Sequence, residues 1–137
     1  MSKQQAIEQV QHCTTMTDVR ACVDALDDLL VPLLVQRSGY MTQAARIKQE
    51  ENQVRDEARI QTIVDRVRKQ SLAEGGEPAV IEAIYRSMME VCISFEHREF
   101  ARLRQGESGG AGPSQGASAP SGGSTVREAT SVGTIAS

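Results

Sequence analysis

The stretch from Thr17 to Lys48, TDVRACVDALDDLLVPLLVQRSGYMTQAARIK, decides the fold. Stepping alternately four and three residues from Val19 meets Val23, Leu26, Leu30, Leu33, Arg37, Tyr40, Ala44 and Ile47, one stripe running for about eight helical turns. Thr17 is the expected N-cap, and Asp18 in the first turn suits the positive end of the helix dipole. Pro32 removes one backbone hydrogen bond, and the spacing predicts that it bends the helix without ending it before Asn52. A helix of about 35 residues, some 50 Å long, is too long for a compact monomer of this size, so a partner is expected to cover its stripe.

Two further helices follow. The second is predicted over Asp56 to Ala73, with Asp56 as cap, Ile60, Ile63, Val64, Val67 and Leu72 as its apolar side, and Gly75-Gly76 as its stop. Pro78 opens the third, whose stripe reads Ile81, Tyr85, Met88, Cys92 and Glu96, flanked by Ile84, Val91 and Phe95. The expected architecture is all-α, three helices ordered long, short, long. Composition agrees, because aromatics are 3% of the 137 residues and Trp is absent, leaving a core of Leu, Ile, Val, Ala and Met.

Residues 13–105 are expected to form the folded domain and 1–12 an N-terminal extension that either lengthens the first helix or forms a short one of its own. From Gly106 to Ser137 the Gly, Ser, Ala, Pro and Thr content predicts a disordered tail, too poor in apolar groups to offset its ordering entropy. The net charge of −3, with Lys and Arg spread along the chain, gives no basic face for nucleic acid. The N-terminal residues have no signal-peptide core and no run has the length of a membrane span, which points to a cytoplasmic protein. Cys13, Cys22 and Cys92 are odd in number and lack metal-site spacing, so reduced thiols and no metal are expected.

The informative residues are charges where apolar ones belong. Arg37 interrupts the stripe between Leu33 and Tyr40, where burial without an anion costs several kcal/mol. A bound anion satisfies it, and so does a salt bridge to Asp27 or Asp28 of a partner chain. Lys48, eleven residues on, points within about 20° of Arg37 on an ideal helix, roughly 16 Å along the axis, so both reach one small molecule. Arg20 is about 25 Å from Arg37 along the same axis and serves that pocket only from the other subunit of an antiparallel pair. Glu96 repeats the anomaly on the third helix; a carboxyl there has its pKa raised by desolvation unless Lys48 or Arg59 opposes the shift, and the alternative is a helix turned far enough for Glu96 to face water. No nucleophilic triad and no Gly-rich phosphate loop accompanies these residues in the folded part.

Taken in order, TDVRACVDALDDLLVPLLVQR with Arg20 and Arg37, YMTQAARIK with Lys48, VRDEAR with Asp56 and Arg59, and YRSMMEVCISFE resemble the type II, all-helical chorismate mutases over about Cys13 to Leu103. The resemblance implies an intertwined homodimer with two pockets, each holding the dianion chorismate, and a pericyclic rearrangement to prephenate without cofactor or covalent intermediate. It implies that Arg37 and the partner's Arg20 bind the two carboxylates, that Arg59 adds a cationic contact, and that Asp56 helps fix the ring hydroxyl. Cys92 would line the pocket, while Lys48 and Glu96 would lie beside the ether oxygen whose bond breaks. Two positions depart from the family pattern. Glu96 stands where many members carry Gln, and donates a hydrogen bond only when protonated; Ile60 stands where Glu often assists the substrate hydroxyl. The apolar Ile60 and the CTTMTDVR opening also resemble isochorismate pyruvate lyases, which share the fold and release salicylate and pyruvate. A third reading is a non-enzymatic helical dimerisation module whose arginines answer carboxylates of a partner protein.

Overall fold

The computed structural model describes residues 8–108. Helix α1 spans Met16–Ile47, a turn of 3₁₀ helix Glu51–Gln53, α2 Glu57–Ala73 and α3 Pro78–Ser108, and no strand occurs among the described residues. The all-α, long-short-long reading is what the chain adopts. Residues 1–7 and 109–137, which include most of the expected tail, lie outside the described residues; α3 continues through Gly106 to Ser108, three residues past the expected boundary.

The ends of the helices follow local chemistry. The cap of α1 is Thr15, two residues before the expected Thr17: the Asp18 amide donates to Thr15 Oγ1 at 3.2 Å and the Val19 amide to the Thr15 carbonyl at 3.2 Å. Residues 10–13 carry no regular structure, so the N-terminal extension does not lengthen α1. Pro32 sits inside α1 and the helix continues through it for 32 residues, about 48 Å. Its end comes at Ile47, earlier than expected, because the following residues build their own turn. The side chain of Gln53 accepts from the amides of Gln49 and Glu50 at 3.0 and 3.1 Å, closing a compact loop that delivers Val54 to the core.

Asp56 caps α2 as expected, accepting from the Arg59 amide at 3.0 Å. That helix stops at Gly75, whose φ of 75° is the left-handed conformation glycine adopts without penalty. Gly75 and Gly76 donate to the carbonyls of Leu72 and Ser71 at 3.1 and 2.8 Å, the two bonds of a Schellman closure. Pro78 then occupies the first turn of α3, where its missing N–H leaves nothing unsatisfied.

The chain divides at Gly39 and Tyr40, inside α1. In the first unit nearly the whole predicted stripe lies open: Val19, Val23, Leu26, Leu30 and Leu33 are exposed, Leu33 by 60%, and Ala25 is the one buried apolar residue described there. The second unit, from Tyr40, holds the core. Its antiparallel α2 and α3 pack Val54, Ile60, Ile63, Val64 and Val67 against Met89 and Ile93, with Ile81, Tyr85 and Phe100 at the margin. Two details differ from the predicted faces. Ser71 is buried where Leu72 was expected, and Leu72 is 67% exposed; Met89 and Ile93 face α2, leaving Ile84 and Val91 exposed.

Candidate active site

The site is built where the end of α1, the 3₁₀ loop and the stretch of α3 around Cys92 and Glu96 converge. Glu96 is fully buried, four residues after Cys92, itself 6% exposed, so the reading in which it turns to water is excluded. Its carboxylate Oε1 accepts from Lys48 Nζ at 2.9 Å, and the lysine side chain is 13% exposed. The same ammonium reaches the Val54 carbonyl at 3.4 Å. Lys48 and Glu96, separated by 48 residues, thus meet as an ion pair whose carboxyl is fully buried and whose lysine is partly buried.

Burial pushes the Glu96 carboxyl above its ordinary range, and the hydrogen bond and charge of Lys48, with a smaller contribution from His97, act against that shift. Desolvation wins, so the acid form is favoured relative to a carboxyl in water. Its second oxygen, Oε2, is buried and has no hydrogen-bond partner. Arg59 shows the same condition on α2: it is partly buried, and its Nε is buried without a partner. An unmet acceptor and an unmet guanidinium N–H each cost about 1–3 kcal/mol when nothing answers them, which suits groups shaped for a ligand.

The other expected site residues are placed as follows. Asp56 is partly buried and spends Oδ1 on capping α2, which fixes the carboxylate at the start of the helix that carries Arg59. Cys92 is buried on the Glu96 face of α3 and takes no part in a disulfide. Ile60 is packed in the core with Val54 and Val64. Within the first unit, Arg37 is partly buried and Arg20 is exposed.

Sequence reasoning missed three contributors. Val54 acts through its backbone carbonyl, which no side-chain pattern announces. Arg55 bridges the loop to α3 by paired bonds to Glu90, at 3.1 and 2.7 Å, and also meets Glu57 at 2.7 Å. Arg104 donates to the Ala45 carbonyl at 2.6 Å and to the Lys48 carbonyl. Stepping by four from Glu96 through Phe100 reaches Arg104, so a signal for it was present in the helical period.

No helix among the described residues is long and apolar enough to cross a membrane. No curated protein and no solved structure matches the chain. A family model, chorismate mutase type II, matches residues 19–97, more than half of the chain and the part that carries the residues of the site above other than Arg104. By that match and by its all-helical fold, the chain belongs to the type II chorismate mutase family.

Proposed function

We propose that the protein is a chorismate mutase that rearranges chorismate to prephenate in a pocket shared between two subunits of an intertwined homodimer in the cytoplasm. The observation that carries this reading is the ion pair of Lys48 with the fully buried Glu96, with Glu96 Oε2 and Arg59 Nε buried and unanswered. In a pericyclic rearrangement the ether bond breaks while a carbon–carbon bond forms within the same molecule, and its oxygen gains negative charge on the way. Catalysis then needs a compact conformer held in place and donors aimed at that oxygen, with no nucleophile. Lys48 is one such donor and protonated Glu96 the other. Arg37, Arg59 and the partner's Arg20 supply the cations for a dicarboxylate, and Asp56 meets the ring hydroxyl.

The exposed stripe of α1 supports the dimer. Val19, Val23, Leu26, Leu30 and Leu33 form an apolar surface that a soluble chain covers with a partner, and a second copy offers the same stripe by symmetry. Because this arrangement takes Arg20 and Arg37 of one site from different subunits, damaged chains should rescue each other. Arg20→Ala and Arg37→Ala are each expected to lose most turnover. Unfolded together and refolded as a mixture, they should regain about a quarter of wild-type activity, since half the dimers are mixed and each mixed dimer has one intact site. No gain on mixing, with mixed dimers present by mass spectrometry, overturns the two-subunit site.

The apolar Ile60 favours a second reading, isochorismate pyruvate lyase, because no carboxylate stands there to assist the hydroxyl of chorismate. Both reactions use the same cationic pocket. Incubation of the purified protein with each substrate separates them: prephenate from chorismate supports the mutase, salicylate with pyruvate from isochorismate supports the lyase. Turnover of neither, together with an intact dimer by light scattering and no thermal shift with a dicarboxylate transition-state analogue, leaves a dimerisation module.

A further inference from the structure

The geometry points to Arg104 as a positioning residue that clamps the backbone of Lys48 and so aims its ammonium. The inference rests on reading Lys48 as the donor at the breaking bond. A helix leaves its last four carbonyls without partners inside the helix. At the end of α1, the Lys48 amide donates to Ala44 O at 2.9 Å, while the carbonyls of Ala45 and Lys48 are both met by Arg104, Nη1 to Ala45 at 2.6 Å and Nη2 to Lys48. The guanidinium carbon stands 3.7 Å from the centroid of the Phe100 ring, which holds the plane of the fork. A cation at a helix C-terminus is also favoured by the dipole.

What makes this more than a helix cap is where the two ends of Lys48 are held. Glu96 and Arg104 lie two turns apart on α3, so one helix grips the ammonium and the backbone of the same residue. A lysine side chain has four rotatable bonds, and the position of its Cα sets the arc that its ammonium sweeps. Val54 O, at 3.4 Å, is the remaining contact of that ammonium here. Arg104 lies seven residues beyond the end of the family match, on the part of α3 that continues past it.

The test uses two substitutions of the full chain, Arg104→Met, which keeps the apolar stem, and Arg104→Lys, which keeps the charge and loses the fork. Because a misplacement of about 1 Å can cost a hundredfold in rate, Arg104→Met is expected to lower kcat about tenfold with KM changed less than about threefold. Reductive methylation gives a readout independent of turnover. Read by mass spectrometry against exposed Lys69, Lys48 should react several-fold faster in Arg104→Met than in wild type, with Arg104→Lys midway on both measures. A lowered Tm with unchanged kcat and an unchanged Lys48 methylation rate, well below the melting range, overturns the proposal and makes Arg104 a structural cap. If Arg104→Met does not fold, Arg104→Lys decides, and wild-type rates there overturn it equally. Should the wild type turn over neither substrate, the catalytic reading fails, whereas the methylation rates still decide whether Arg104 holds Lys48.

Discussion

Replacing Lys48 by Met is expected to lower kcat by about 10²–10³, the loss that follows removal of one donor from an oxygen that becomes anionic in the transition state. KM should rise far less, since the developing charge at that oxygen is small in the bound substrate. The same substitution also strands a buried acid. Glu96 is fully buried and Lys48 is its ion-pair partner, so stability should fall by about 1–3 kcal/mol, the cost of leaving a buried acceptor unmet. Those two consequences are separable. In Lys48→Met/Glu96→Met an apolar pair replaces the ionic one, and removing both partners of a buried pair costs little. The double variant should therefore recover the stability lost by Lys48→Met and none of the activity. Urea unfolding at one fixed protein concentration, with steady-state kinetics on chorismate, gives both numbers. A Lys48→Met enzyme retaining more than a tenth of wild-type kcat would remove Lys48 from the chemistry.

This pair also shows how far the sequence could be read. The period of α1 announced a helix of about 35 residues, and α1 runs for 32, with Val19, Val23, Leu26, Leu30 and Leu33 of its stripe exposed. The stripe of α3 placed Glu96 among apolar residues, and it is buried there. What periodicity could not supply was phase within a wide stripe. Ile84 and Met89 both flank the Tyr85–Cys92 line, and only the approach of α2 decides that Met89 is covered and Ile84 is not. Leu72 lost its place to Ser71 for a related reason: the Schellman closure brings Gly76 onto the Ser71 carbonyl, so the last turn of α2 is covered at Ser71.

Boundaries failed where two local solutions compete. Thr15-Met16-Thr17-Asp18 offers two threonines, and Thr15 caps because Asp18 then falls in the position whose amide meets the capping oxygen. At the other end of α1 no Gly or Pro marks the stop. The helix ends because Gln53 satisfies two loop amides, a bond between side chain and backbone that leaves no trace in hydropathy. The choice of Lys48 over Arg59 as partner for Glu96 was likewise invisible, since it depends on the loop bringing Val54 beneath the ammonium.

Glu96 carries the second large expectation, a pH dependence that Gln at this position would lack. Only the protonated acid donates a hydrogen bond, and above its pKa the protonated fraction falls tenfold per pH unit, so activity should decline by up to about a hundredfold over two units. Burial raises the Glu96 pKa from its ordinary 4.5, and Lys48 and His97, the cationic groups acting on it, oppose the rise. The folded protein thus binds a proton more tightly than the unfolded chain does. Stability from this group is fully present below the unfolded pKa and is lost as pH climbs through the raised folded value, after which it levels. Activity and stability should therefore fall together across that window. In Glu96→Gln the amide donates at every pH, so both the activity profile and this part of the stability profile should flatten, with the largest gain over wild type at the alkaline end. His97→Gln serves as the control, because His97 contributes to the electrostatics of Glu96; that variant should keep the wild-type shape. Superimposable pH–rate profiles for wild type and Glu96→Gln, each measured as kcat to keep substrate binding out of the comparison, would show that Glu96 acts as the carboxylate partner of Lys48 and never as the donor.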